Sequence, residues 1–316
     1  MPQVFLTSQN VDNSTDRMRR LMETAKQHSP TAARIINYAF AYGCGFNFQS
    51  VDKAYGAYDK TRNMVYLNPN YSDAELLSTL VHESRHALQP KSFESAKYDI
   101  RTNLQWVRAT EADAMAHECA AAHEMKKDLP QVWNQFKQKH AGIAAAYESF
   151  ADQPDKALGE AFKAWHDNQK YVSKYDQNTL DQLAFDAGRS GFDFLKNSIP
   201  GEEIGEQICK KDGKSYLEKG FMTSARALIV DERTVWPKVI RVKQAAIEAT
   251  NHRDSSDEEL YTRAPDGTVV SRRTAKSSEK QQSVDNAAGK KCAGLSGSPS
   301  DIKNRLTAIK RRTSGR

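Results

Sequence analysis

Residues 81–86 read Val-His-Glu-Ser-Arg-His, with two histidines four positions apart and a glutamate directly after the first. On an α-helix, side chains at positions i and i+4 lie one turn apart on the same face, so His82 and His86 can point at one ion. Glu83 projects beside them, where its carboxylate can accept a proton from a water molecule on that ion. Zinc can be held by only a few protein ligands, and it lowers the pKa of its bound water to about 7. The pattern therefore predicts a zinc site that activates water.

The surrounding sequence predicts that this motif lies within a helix. Ser72, with Glu75 three residues later, is a capping-box pattern, and leucines and valines follow it at helical spacing. Asn-Pro-Asn at 68–70 ends the preceding strand, and Pro90 ends the helix soon after His86. A chance match to HExxH in a chain of 316 residues has a probability of about 1%. We therefore favour the metal site over the alternative, a solvated helix face that holds two histidines by chance.

A catalytic zinc ion usually takes three ligands from the protein, so a third must lie outside the motif. The residues directly after His86 read Ala-Leu-Gln-Pro-Lys-Ser, which excludes the HExxHxxGxxH extension. Glu111 is the best-placed candidate, because it lies 25 residues after His86, enough for a loop and a return helix. Glu118 on the same face either replaces it or supports it from behind, and an exposed helix glutamate is the alternative for Glu111 itself. The candidates on this helix are Glu111, Asp113, His117, Glu118 and His123.

HExxH at 82–86, followed 25 residues later by Glu-Ala-Asp-Ala at 111–114, resembles the gluzincin metallopeptidases. The chain is most similar to minimal bacterial forms, such as the phage-immunity anti-repressor proteases and uncharacterised metallopeptidase families. The resemblance covers Val51–Met125 and implies a zincin-like fold that hydrolyses peptide bonds with Zn²⁺ as cofactor. The resemblance implies that the zinc ligands are His82, His86 and Glu111. It also implies that Glu83 is the general base.

The sequence does not identify two parts of the site: the partner that orients a histidine and the oxyanion donor. The larger thermolysin-like gluzincins place an aspartate four residues after the glutamate ligand to orient a histidine, and here that position is Met115. Asp113 lies off that face and Glu75 already has a capping role, so the orienting partner is unassigned. A donor for the oxyanion of the reacting carbonyl is also needed. The candidates are Tyr66, Tyr71, Arg85, Tyr98, His117 and His123.

A β-hairpin is predicted directly before the motif helix, from Tyr55–Tyr58 and Asn63–Leu67 with a polar turn between them. Enzymes of the kind that the chain resembles lay the substrate along an edge strand beside the zinc helix. The resemblance therefore implies that Asn63–Asn68 is this edge, where main-chain pairing would hold a peptide. The compatible alternative is that Val65 and Leu67 are core residues of the hairpin.

The remaining pattern predicts an α+β fold that is mainly α, with one small sheet near the start. We divide the chain into a zincin-like metallopeptidase core at 1–128, a helical region for substrate or partner recognition at 129–250, and a disordered basic tail at 251–316. A short basic helix is predicted at 301–312. The other predicted helices are Thr15–Gln27, Thr31–Tyr42, Asp99–Lys127, Gln131–Ala151, Pro154–Tyr171, Asn178–Asn197 and Val235–Ala249.

The net charge of +6 lies entirely in the tail. Residues 250–316 hold 14 Lys and Arg against 8 Asp and Glu, which leaves 32 of each sign in the rest of the chain. Any attraction to nucleic acid or to an acidic membrane surface therefore concerns the tail alone. Because aromatic residues are not interleaved with its basic ones, we favour a solvated linker over nucleic-acid binding.

Cysteine usage and hydropathy predict a cytoplasmic protein. The four cysteines, at positions 44, 119, 209 and 292, form no CxxC pair, which is typical of reduced thiols. No run of about 18 apolar residues predicts a membrane span, and the N-terminal sequence lacks the pattern of a secretory signal. Export as an effector without such a signal stays open.

Three functional hypotheses follow. The first is a zinc peptidase acting on a protein or peptide. The second is a zinc-site fold without turnover that serves as a binding or regulatory module, but Glu83 argues against it, since zinc binding alone does not need that carboxylate. The third is a nucleic-acid-associated protein that binds through its basic tail.

Overall fold

The computed structural model describes residues 8–187, 195–250, 259–264 and 266–273. These residues form eleven α-helices and eight short strands, so the predicted mainly helical α+β class is confirmed. No helix among them has the length and apolar character that crossing a bilayer requires.

The helices are α1 (Ser8–His28), α2 (Pro30–Ala41), α3 (Asp73–His86), α4 (Ile100–Glu124), α5 (Pro130–Lys139), α6 (Ala141–Glu148), α7 (Pro154–Asp167), α8 (Gln169–Asp186), α9 (Gly201–Ile208), α10 (Ala225–Leu228) and α11 (Trp236–Thr250). The strands are β1 (Gly45–Phe48), β2 (Gly56–Asp59), β3 (Met64–Leu67), β4 (Lys210–Lys211), β5 (Lys214–Ser215), β6 (Ile229–Val230), β7 (Glu259–Arg263) and β8 (Val269–Arg273). One turn of 3-10 helix covers Ser95–Lys97.

Helix α3 carries the HExxH motif and begins at the predicted capping box. The backbone N–H of Ser72 donates to the Glu75 carboxylate at 3.0 Å, which stabilises the first turn. Leu76 and Leu80 are fully buried on the face that the periodicity predicts. The helix ends at His86, so both motif histidines lie on its last two turns.

The small sheet has the order β1-β3-β2, with β1 parallel and β2 antiparallel to β3. The predicted hairpin is confirmed, but the predicted edge is wrong: Asn63–Asn68 contains β3, which is paired on both sides. The reason is the additional strand β1, which follows Gly43 and was not predicted. Val65 and Leu67 are fully buried, as the middle of a sheet requires.

Strand β2 is the edge that runs beside α3. Gly56 makes this approach possible, because a Cβ there would lie 2.8 Å from the carbonyl oxygen of Tyr66 and 3.1 Å from Cγ of Glu83. Within the described residues, the other side of β2 pairs with no strand. The open edge therefore passes directly over the motif glutamate.

Helix α4 lies at the centre of the molecule, against α3, α7, α8 and α9. Ala112 and Ala116 are fully buried and keep α4 slim where it meets its neighbours. One hydrophobic core runs from Met18 to Ala227 and joins α1–α4 to α5–α7 and α9. The predicted boundary between 128 and 129 thus falls within a shared core, and the domain limits themselves stay a prediction.

Two predicted helices are interrupted. Gln131–Ala151 divides into α5 and α6 at His140, whose backbone leaves the helical region (φ −132, ψ 45). Pro154–Tyr171 ends at Asp167, and Asn168 caps the next helix, α8. Neither break has a Gly or Pro at its centre, and hydrophobic periodicity continues across it. The sequence therefore did not predict that either helix ends there.

The C-terminal strands lie in the stretch predicted as disordered, and that prediction is wrong for their residues. Strand β7 pairs in parallel with β6 and antiparallel with β8. Leu260 of β7 is buried in a second, smaller core with residues of α8 and α11. A two-residue partner strand and one buried leucine leave no periodic pattern in the sequence. The predicted basic helix at 301–312 lies outside the described residues.

A buried ion pair ties α4 to α8. Arg108, which is 1% exposed, donates to both carboxylate oxygens of Asp176 at 2.8 and 2.6 Å. It also donates to the carbonyl oxygens of Ala227 and Ile229, at 2.7 and 3.0 Å. Burial raises the pKa of Asp176, and Arg108 opposes that rise. The pair fixes the turn of α8 that carries the neighbouring residue, Tyr175.

His166 of α7 makes the stability dependent on pH. Its Nδ1–H donates to the Phe162 carbonyl at 3.1 Å, and Nε2 has no hydrogen-bond partner among the described residues. Burial lowers the pKa of His166 to about 3. This pKa lies below the unfolded value of about 6.5. The free energy of unfolding is therefore unaffected by His166 above pH 6.5 and decreases as the pH falls below it.

We expect the wild-type chain to lose about 2 kcal/mol more than His166→Leu between pH 7.5 and pH 5, because protonation favours the unfolded state. Urea unfolding of both proteins at the two pH values measures the difference. The same loss in both would contradict the assignment.

Candidate metal centre

The structure brings His82, His86 and Glu111 together. One ligand atom of each lies within 4.8 Å of the others. Nε2 of His82 is 3.7 Å from one carboxylate oxygen of Glu111, and Nε2 of His86 is 3.8 Å from the other. Helix α3 supplies the two imidazoles and α4, packed along it, supplies the carboxylate. No other group of His, Cys, Asp or Glu in the described part of the chain has this spacing.

Both histidines are held through Nδ1, which leaves Nε2 facing Glu111. Nδ1–H of His82 donates to Glu118 at 3.0 Å, and Nδ1–H of His86 donates to the side-chain oxygen of Gln89 at 2.8 Å. Such partners fix the tautomer and the orientation of an imidazole ligand. Of the two roles considered for Glu118, the geometry favours support. Gln89 was not predicted, although it lies three residues after His86.

Gln89 is itself held by a buried network. Its side-chain amide donates to the carbonyl oxygen of Thr110 and to Asp113, both at 2.8 Å. Asp113 also accepts from Arg85 at 2.7 and 3.1 Å and from the Tyr216 hydroxyl at 2.7 Å. Burial would raise the pKa of Asp113, but the Arg85 charge holds it far below its usual range. Asp113 is therefore turned away from the metal centre and supports it through Gln89.

The remaining candidates from α4 also lie apart from the three grouped residues. His117 is fully buried, and its Nδ1–H donates to the Asp113 carbonyl at 2.9 Å. His123 packs against Trp133 and Tyr147, with ring centroids 5.1 and 5.2 Å away. Both positions are typical of structural histidines.

Two cavities meet above Glu83. The first, here called the metal cavity, has a volume of about 380 Å³ and is lined by His86, Glu111 and strand β2. The second, here called the lysine cavity, has a volume of about 540 Å³. Both are lined by Gly56, His82, Glu83 and Tyr175. A chain laid along β2 would thus have space on either side of the motif glutamate.

Tyr175 is a residue of the candidate site that the sequence did not indicate. It lies on α8, lines both cavities and shares the metal cavity with Glu111. Burial and the Glu111 charge raise the pKa of Tyr175, so its hydroxyl keeps its proton and acts as a donor. None of the six predicted oxyanion donors, Tyr66, Tyr71, Arg85, Tyr98, His117 and His123, lines either cavity.

A family model described as "Putative metallopeptidase family (DUF6782)" matches residues 6–217. The chain belongs to this family. No curated protein and no solved structure matches it. The match includes α1 to α9, and hence His82, His86, Glu111 and Tyr175. Family membership implies a metal ion and a protein or peptide substrate.

The three grouped side chains suit the metal of a metallopeptidase. Two imidazole nitrogens and one carboxylate form a donor set that zinc accepts while leaving a position open. Burial would raise the pKa of Glu111, but the charges of His86 and His82 lower it to about 2. Glu111 is therefore ionised across the physiological range, as a metal ligand must be.

Burial and the charges around the centre also shift the pKa values of His82 and Glu83. Burial alone would lower the pKa of His82, but the nearby carboxylates of Glu111 and Glu118 outweigh it and raise that pKa well above its ordinary value. Burial raises the pKa of Glu83, against the opposing charges of His82 and His86. A carboxylate with a raised pKa both accepts and returns protons more readily near neutral pH.

Proposed function

We propose that the chain is a zinc-dependent peptidase of the gluzincin type, with His82, His86 and Glu111 as the metal ligands and Glu83 as the general base. The observation that carries the proposal is the convergence of the three ligand atoms within 4.8 Å of one another, beside Glu83, in a cleft bordered by β2. Family membership supports the metallopeptidase class, and the donor set favours zinc.

Zinc bound at this centre would act as a Lewis acid, which makes water acidic enough to lose a proton near neutral pH and polarises the substrate carbonyl. The chain's own residues do the rest of the work. Glu118 and Gln89 hold the imidazoles of His82 and His86 in place, so little reorganisation is needed during the reaction.

Glu83 moves the proton. Its carboxylate accepts a proton from the attacking water and can then deliver it to the nitrogen of the departing amine. Its buried position at the junction of the two cavities raises its pKa towards the working pH, which suits both transfers.

Strand β2 is the surface that would hold the peptide. Its outer edge, beside α3, pairs with no other strand in the part of the chain that the structure describes. An extended peptide can add to such an edge as a further strand. Gly56 brings this edge close to Glu83, so the paired peptide would place a carbonyl next to the base. We therefore assign the role of substrate-binding edge strand to β2 instead of the predicted Asn63–Asn68 segment.

Tyr175 is proposed as the oxyanion donor, because its protonated hydroxyl lies beside Glu111 at the junction of the cavities. We expect Tyr175→Phe to lower kcat by a factor of about 100 with little change in KM, since a hydrogen bond formed in the transition state is lost. Steady-state hydrolysis of a fluorogenic peptide measures both constants.

Tyr38→Phe is the matched control, because Tyr38 is exposed on α2 and lines neither cavity. It should retain kcat. An unchanged kcat in Tyr175→Phe would remove Tyr175 from the mechanism.

The function itself is tested by incubating the purified full chain with a mixture of peptides and with casein. We expect about one zinc ion per chain and hydrolysis that 1,10-phenanthroline stops and added zinc restores. Hydrolysis that resists the chelator, or none from a zinc-loaded chain, would contradict the proposal.

The position of Glu83 in the cleft disfavours a zinc-site fold without turnover, since a purely structural site would not need it. Most of the basic tail lies outside the described residues, and binding of nucleic acid through it stays a hypothesis. A cytoplasmic location also stays a prediction.

A further inference from the structure

The lysine cavity opens from the same junction as the metal cavity. Gly56, His82, Glu83 and Tyr175 form the wall that the two share. If a peptide lies along β2 with its reacting carbonyl beside Glu83, a side chain next to the scissile bond must enter the lysine cavity. The chemistry of this cavity therefore bears on which substrates are cut.

Four lysines line the cavity: Lys53, Lys139, Lys170 and Lys174. Lys170 and Lys174 lie one turn apart on the same face of α8, an arrangement in which like charges repel. Lys53, Lys170 and Lys174 are exposed, and each lacks an ion pair with any carboxylate in the described ranges. These three cations are available to a ligand.

Three acidic residues line the cavity, and two of them already have partners. Glu75 pairs with Lys139 at 3.3 Å and caps α3. Glu118 accepts the hydrogen bond of His82. Glu83 lies at the junction with the metal cavity, where its proposed role is proton transfer. The outer part of the cavity consequently carries a surplus of positive charge.

The inner wall of the cavity is aromatic. Tyr55, Phe136, Trp165 and Tyr171 contribute to it, and Nζ of Lys139 lies 3.7 Å from the centroid of the Tyr55 ring. Such a wall suits the methylene groups of a substrate side chain, while exposed ammonium groups at the rim suit a carboxylate.

We propose that the lysine cavity binds an acidic side chain, aspartate or glutamate, next to the scissile bond, so that the chain selects acidic peptide sequences. The inference rests on the proposed peptidase function. Lys170 and Lys174 are its main specificity-determining residues, because α8 directs them to the same cavity that Tyr175 lines.

Binding can be measured without turnover in the full-length Glu83→Gln chain. The probes are fluorescently labelled octapeptides of alanine and serine that carry one glutamate, or one glutamine, at each position in turn. We expect one position at which glutamate binds about tenfold more tightly than glutamine, since each exposed ion pair contributes up to about fivefold. Raising the salt from 50 to 500 mM should reduce that ratio.

Adding Lys170→Gln and Lys174→Gln to this chain should reduce the ratio to about twofold. The matched control is Lys127→Gln with Lys219→Gln, which removes the same charge from exposed positions that line neither cavity. An equal loss in both double variants would show an effect of net charge and overturn the proposal. Equal binding of both peptide sets, or no binding of either, would overturn it as well.

Hydrolysis of the same peptides by the chain with Glu83 intact separates the two proposals. Cleavage without a preference for glutamate would overturn the inference and leave the peptidase function standing. Glutamate-dependent binding without cleavage by the zinc-loaded chain would support the cavity and contradict the peptidase function.

Discussion

Replacing Glu83 by glutamine is expected to lower kcat/KM for peptide hydrolysis by about a thousandfold while the chain keeps its zinc. The amide has nearly the same size as the carboxylate but cannot accept the proton of the attacking water. Because His82, His86 and Glu111 are unchanged, the metal should remain bound. The two measurements are steady-state hydrolysis and zinc content per chain on the same preparation.

Glu206→Gln is the matched control, since Glu206 is exposed on α9 and lines neither cavity. It should retain both activity and zinc. His82→Ala provides the opposite comparison, because it should lose zinc and activity together. Full activity in Glu83→Gln would remove Glu83 from the mechanism, and loss of zinc from that variant would make it a ligand instead of a base.

Replacing Arg108 by methionine is expected to lower the free energy of unfolding by about 3–5 kcal/mol. Arg108 and Asp176 are each 1% exposed at their side chains, so the change leaves an unpaired buried carboxylate and two unsatisfied carbonyl oxygens. Urea unfolding at pH 7 measures the loss. The double variant Arg108→Met with Asp176→Leu should recover part of it, because removal of both charges costs less than removal of one.

The exposed pair of Arg226 and Asp167 is the control for this measurement. Its side chains are 44% and 55% exposed, and Arg226→Met should change the free energy of unfolding by less than about 1 kcal/mol. If Arg108→Met cost no more than this control, the buried pair would not be a main support of α8.

The predictable part of the site depends on local signals. A capping box at Ser72 and Glu75 marks the start of α3, and helical spacing places His82 and His86 on one face. The 25 residues that lead to Glu111 allow a return helix, and the structure has α4 in that position. Each of these signals lies within a few turns of the residue that it places.

The parts that were missed depend on contacts between distant segments. Tyr175 reaches the centre because Arg108 fixes α8 against α4, and nothing around Tyr175 in sequence marks that packing. The place of β3 in its sheet depends on β1, whose four residues, Gly-Phe-Asn-Phe, are too short a run to predict a strand. The C-terminal strands are held by the packing of the buried Leu260 and by the pairing of β7 with β6. Spacing along the chain cannot encode such pairings.

Zinc analysis of the wild-type chain beside Glu111→Ala tests the central claim most directly, since the claim is that His82, His86 and Glu111 hold one ion. We predict about one zinc per wild-type chain and, in competition with a chelator, an affinity at least about 100-fold lower in Glu111→Ala. Glu118→Gln should fall between the two, because loss of a group that orients a ligand costs about 10–100-fold. A wild-type chain that holds no zinc, or a Glu111→Ala chain that binds zinc as tightly as the wild type, would contradict the account.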